Sequence, residues 1–147
     1  MKKIYIAIVL CLLMCTNCTQ NNGHIGPIFG SWTLMEMTED GSVMADNKEN
    51  TIFSFQNQII QVTLLVDPPY TVEYRYGNFT LDDDMLTLKF QSKETSDSNL
   101  YIAPEWLHFP VDGKPIRLDI RKFKGNTMTL VMNSEGTEYS YFFKKTW

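Results

Sequence analysis

From Gly30 onward, apolar residues recur at alternate positions in short runs, and no 3.6-residue period is sustained over ten residues. A period of two places successive side chains on opposite faces of an extended chain, so each run reads as a strand with one buried face. The runs are Trp32 to Met37, Thr51 to Gln56, Ile59 to Val66, Tyr70 to Thr80, Met85 to Phe90, Arg117 to Lys124, Met128 to Met132 and Glu138 to Lys145. Turn and loop formers separate them at Thr38-Glu39-Asp40-Gly41-Ser42, Asn57-Gln58, Asp67-Pro68-Pro69, Asp82-Asp83-Asp84, Gly125-Asn126 and Asn133-Ser134-Glu135-Gly136. Short connections suit an antiparallel meander, because parallel pairing needs long crossovers. About eight strands is the number in a small closed barrel. The predicted fold is all-β, an antiparallel up-and-down barrel, with a β-sandwich as the alternative.

One stretch, residues 91–115, breaks the pattern. It is polar from Ser92 to Asn99, then apolar at Leu100-Tyr101-Ile102 and at Trp106-Leu107-His108-Phe109, between Pro104 and Pro110. Loops longer than about 12–15 residues are often functional. Such a segment serves either as a lid with Trp106 and Phe109 facing a ligand, or as an extra element that completes the core. A surface loop normally exposes polar residues, so this aromatic pair must bury itself against something. Trp106 and Phe109 are therefore the candidate ligand-binding residues.

The first residues read as an address. Lys2-Lys3 is a positive n-region, and the 11 apolar residues from Ile4 to Met14 suit a signal h-region and are too few to span a bilayer. The run ends at Leu12-Leu13-Met14-Cys15-Thr16-Asn17-Cys18, which resembles the lipobox of bacterial lipoproteins. The resemblance implies that a lipidated cysteine becomes the new N-terminus. Cys15 has Leu12 three residues before it but bulky Met14 at the cleavage position, whereas Cys18 follows small Thr16 and Asn17. Cys18 is the preferred lipidation site, with Cys15, or ordinary secretory cleavage, as alternatives. Several acyl chains would follow from the resemblance, and stable anchoring needs more than one. The predicted organisation is a signal peptide over 1–17, a polar Gly-containing tether over 18–28 and a barrel domain over 29–147. No acidic run follows the cysteine, which favours an outer-membrane anchor with the domain facing the periplasm.

Composition narrows the function. Without Lys2 and Lys3 the mature part carries 11 basic against 17 acidic residues, a net charge of −6. That lacks the positive field a phosphate backbone requires, which argues against nucleic-acid partners. All three cysteines lie within the first 18 residues, so the domain holds no disulfide and no cysteine nucleophile. With His24 in the tether, His108 is the sole histidine of the domain, which excludes a His-rich metal site within one chain.

Gly30-Ser31-Trp32 at the first strand resembles the G-x-W signature of lipocalins and their bacterial relatives. Looser likeness lies in Ile120-Arg121-Lys122-Phe123, Gly125-Asn126-Thr127-Met128-Thr129-Leu130 and the closing Tyr139-Ser140-Tyr141-Phe142-Phe143-Lys144-Lys145. Together they look like small lipocalin-like lipoproteins of gut Gram-negative bacteria. The resemblance implies that Trp32 packs across the closed end of a barrel while Gly30 lets the chain turn in beneath it. Lipocalins also stack an arginine of the last strand over that tryptophan, where this chain offers Lys144 and Lys145.

The remaining candidates read as structure. Glu105 and His108 are the only carboxylate–imidazole pair close in sequence, but no third orienting group accompanies them, and no catalytic residue is assigned. Asp82-Asp83-Asp84 lacks the interleaved ligands and glycine of a calcium loop and reads as a solvated turn, so no metal or cofactor is called for. Met35, Met37, Met44, Met85, Met128 and Met132 suit an adaptable pocket but are read as core filler. The function expected is a lipid-anchored envelope lipoprotein that binds a small apolar ligand in its barrel. The alternative is a barrel filled by its own side chains that binds an envelope partner.

Overall fold

The computed structural model describes residues 26–44, 50–66 and 71–146. Cys15, Cys18, the signal and most of the tether lie outside the described residues. Strand β1 (Gly30–Glu39) is followed by β2 (Ser42–Val43), β3 (Thr51–Gln56), β4 (Ile59–Val66), β5 (Thr71–Asp82), β6 (Met85–Lys89), β7 (Ile116–Lys124), β8 (Thr127–Ser134) and β9 (Thr137–Lys145). Every pairing between named strands is antiparallel, and β9 pairs back onto β1. Two-residue β2 only folds back on the end of β1, so eight strands form a closed up-and-down barrel. One continuous sheet closed on itself is not a sandwich.

Closure depends on two bulges. Trp32 and Leu34 face inward on β1, then the register with β9 slips between Leu34 and Glu36. Met35 is the extra residue and stands 44% exposed, which leaves Met37 rather than Glu36 in the core. On β7 the inward set Ile116, Leu118 and Ile120 is followed by a slip between Ile120 and Lys122. The slip brings the ring of Phe123 to 5.6 Å from Trp32. Bulges bend a strand and sharpen its twist, as a small barrel requires.

Several contacts converge on Trp32 at one end of the barrel. Gly30 adopts φ 111°, open in practice to glycine alone, and the chain before it hooks beneath the barrel. The fully buried Trp32 indole donates from Nε1 to Ile28 O at 2.8 Å. Lys145 Nζ lies 5.2 Å from the ring centroid, so a lysine takes the place of the arginine. Lysine cannot stack as a plane, but its point charge still meets the negative face of the indole.

The interior is filled by Trp32, Leu34, Phe53, Phe55, Phe143 and Leu118, with further aliphatic residues such as Ile60, Val62, Leu86, Leu88 and Leu130. Met37, Met128 and Met132 join this core, while Met44 packs at its margin. The three aspartates close β5 and open the turn to β6, with Asp83 at φ 48°.

Candidate functional site

The segment between β6 and β7 leaves the barrel at the end opposite Trp32. It is laced to itself: Gln91 bridges Ile102 in parallel, and the Gln91 amide donates to Tyr101 O at 2.7 Å. Lys93 N–H donates to Val111 O at 2.8 Å. Ser98 caps a short 3-10 turn, Asn99–Tyr101, by accepting from Leu100 N at 3.2 Å. A second 3-10 turn, Glu105–Leu107, starts after Pro104 and stops at His108, whose left-handed φ of 57° reverses the chain. The reversal tucks Leu107 and Phe109 inside.

Phe109 is only 4% exposed, its ring 6.4 Å from Phe53 and 5.6 Å from Tyr141. Tyr141 Oη donates to Leu107 O at 2.7 Å, which ties the plug to β9. Burial pushes the Tyr141 phenol far above its ordinary value, so it remains a donor. Phe109 thus sits at the barrel mouth as a stopper belonging to the core.

Trp106 goes the other way. It is half-buried against the core margin, with the Arg75 guanidinium carbon 5.1 Å from its ring centroid. Arg75 is held by Glu73 Oε2 at 3.1 Å and by Tyr74 O at 3.0 Å. Lys93 bonds the Glu105 carboxylate, whose pKa falls below its ordinary value because of that hydrogen bond and charge. These groups surround a cavity of about 370 Å³. Trp106 Nε1 is sealed from solvent and has no acceptor among the described residues. A buried indole N–H normally finds a partner, and the fold leaves this one unsatisfied.

The structure therefore separates the two residues predicted to act together: Trp106 lines a cavity, and Phe109 plugs the barrel. Glu105 and His108 are not joined either, since the carboxylate pairs with Lys93 while the imidazole stacks on Tyr139 at 5.1 Å. No group of three or more His, Cys, Asp or Glu is placed to hold a metal among the described residues. Lys93 lies in the polar part of the 91–115 stretch, whereas Glu73 and Arg75 belong to β5. The one sequence signal of Glu73 and Arg75 is charge at the parity of core-facing Phe79 and Leu81.

A family model described as a lipocalin-like domain matches residues 10–145. The chain belongs to the lipocalin-like family. A crystal structure of a lipocalin-like protein from Bacteroides uniformis ATCC 8492 superposes with a TM-score of 0.61 at 17% identity, covering 82% of this chain and 99% of that one. That of an uncharacterized protein from Bacteroides eggerthii DSM 20697 gives 0.58 at 23% identity, covering 80% and 98%. At these identities the likeness is one of fold. No curated protein matches the sequence. In this lipocalin-like chain the mouth of the barrel is stoppered by its own segment, which turns attention to the cavity beside it.

Proposed function

We propose that this lipocalin-like protein is a lipid-anchored lipoprotein of the cell envelope that binds a small, largely apolar molecule beside its barrel mouth. The observation that carries the reading is a cavity of about 370 Å³ walled by the half-buried Trp106 indole beside Arg75. Ligand sites are concave, with a few placed polar groups that fix orientation. Here the indole, Ile102 and Ala103 offer apolar contact, while Arg75, Lys93, Asn99 and two carboxylates offer polar groups. A small ligand with an apolar face and a polar edge fits that set. Its site lies next to the filled interior rather than within it. The anchor is Cys18, supported by the lipobox-like run that precedes it.

Titration with an apolar fluorescent probe tests the reading. Saturable binding that Trp106→Ala abolishes is the expected result, and binding unchanged in that variant would overturn the assignment.

A second reading has its own support. Leu107 and Phe109 fill the mouth as core residues, as they would in a barrel that serves only as a scaffold for an envelope partner. Saturable probe binding separates the two.

A further inference from the structure

A second concavity lies on the outer wall of the barrel, away from Trp106. It is a groove of about 570 Å³, open to solvent along one side, between the β5–β6 edge and the Asn99–Tyr101 turn. Tyr76, Tyr101 and Phe90 line it with the exposed Ile59, and Asn78, Gln91 and Lys89 add two carboxamide residues and a lysine. No carboxylate lines it.

The groove is built rather than incidental. Phe90 is 5% exposed and packs against the bare backbone of Gly77, where a Cβ would come within 2.9 Å of two Phe90 ring carbons and 2.8 Å of Lys89 O. Only glycine there lets the ring form the groove floor. The Gln91 bridge to Ile102 and its amide bond to Tyr101 O fix the turn that carries Tyr101. Ser96 Oγ lies 2.9 Å from the Gln91 carboxamide and 2.8 Å from Ser98 O, which ties that carboxamide to the loop. Tyr101 nonetheless remains 46% exposed, and Tyr74, 6.4 Å from Tyr76 and nearly parallel to it, extends the aromatic surface along β5.

The lining chooses among ligands. An apolar molecule in a groove open to solvent would leave part of its surface in water. An anionic polymer would meet one lysine and the net negative charge of the domain. A sugar ring has an apolar face of C–H groups that lies on an aromatic ring and a rim of hydroxyls that meets amides, an ammonium and water. We infer that the Tyr76–Tyr101 groove binds a neutral oligosaccharide, with the tyrosines stacking on sugar rings while Asn78, Gln91 and Lys89 bond their hydroxyls. This site shares no lining residue with the Trp106 cavity, so either can fail without the other.

The test is ¹⁵N NMR titration of the domain with maltohexaose, cellohexaose, xylohexaose and mannohexaose, alongside oligogalacturonate. At least one neutral hexamer is expected to shift the amides of Gly77, Asn78, Lys89, Gln91 and Tyr101. Tyr101→Ala and Tyr76→Ala should each weaken that binding about tenfold, the scale of one aromatic contact. Trp106→Ala should leave it unchanged. Absence of shifts with all four neutral hexamers, binding of oligogalacturonate alone, or full affinity in both tyrosine variants would overturn the proposal.

Discussion

Lys145 and Trp32 close the barrel across its first and last strands, the ammonium 5.2 Å from the centroid of a fully buried indole. Trp32 also bonds Ile28 and touches Phe123, so three separate parts of the chain converge on one side chain. Trp32→Ala should cost about 3–5 kcal/mol as a large-to-small core change. Lys145→Ala, which removes only the cation, should cost about 0.5–1 kcal/mol. Urea unfolding of the two variants checks the ratio, and a loss under about 1 kcal/mol for Trp32→Ala would make the tryptophan peripheral.

Phe109 and Trp106 should behave oppositely although three residues apart. Phe109→Ala opens a hole among Phe53, Tyr141 and the barrel wall and should cost about 3–5 kcal/mol. Trp106→Ala should cost less than half as much, since part of its surface faces a cavity. Thermal and urea melts of both variants decide this.

Tyr141 gives the fold an alkaline limit. Its phenol is neutral in the folded state well above the ordinary tyrosine value of 10.0, and it titrates normally once unfolded. Above pH 10 the unfolded chain therefore holds fewer protons than the folded one, and stability falls as pH rises. Below pH 10 the contribution is fully present. Tyr141→Phe should remove this slope at the cost of about 1–3 kcal/mol, since Leu107 O loses its donor. Urea midpoints from pH 8 to pH 11 for both proteins measure the difference.

Cys18→Ala should abolish acylation and membrane retention in the native host, while Cys15→Ala should leave both intact. Intact mass of the detergent-extracted protein reads the outcome directly.

The strands were legible because alternation is local. Thr51–Gln56 and Ile59–Val66 fall where the pattern places them, and the Gly125-Asn126 and Glu135-Gly136 turns join the strands expected of them. The bulges at Met35 and Arg121 were hidden, because each shows only as a break in period that tertiary closure alone rewards. The 91–115 segment was legible as apolar and exceptional but not in direction. Whether Phe109 turns inward depends on the left-handed His108 and on Tyr141, thirty-odd positions away. The Trp106 cavity takes Glu73 and Arg75 from β5, and the wall groove depends on Gly77 meeting Phe90. Neither relationship leaves a periodic mark.

The central claim is that this lipocalin-like protein carries a small molecule at Trp106. Native mass spectrometry of wild type and Trp106→Ala, each extracted from the protein's own host, tests it most directly. The account predicts a wild-type species heavier than the lipidated chain by the mass of one bound small molecule, and a Trp106→Ala protein without it. A wild-type protein that carries no added mass, or an adduct equally present in Trp106→Ala, would contradict it.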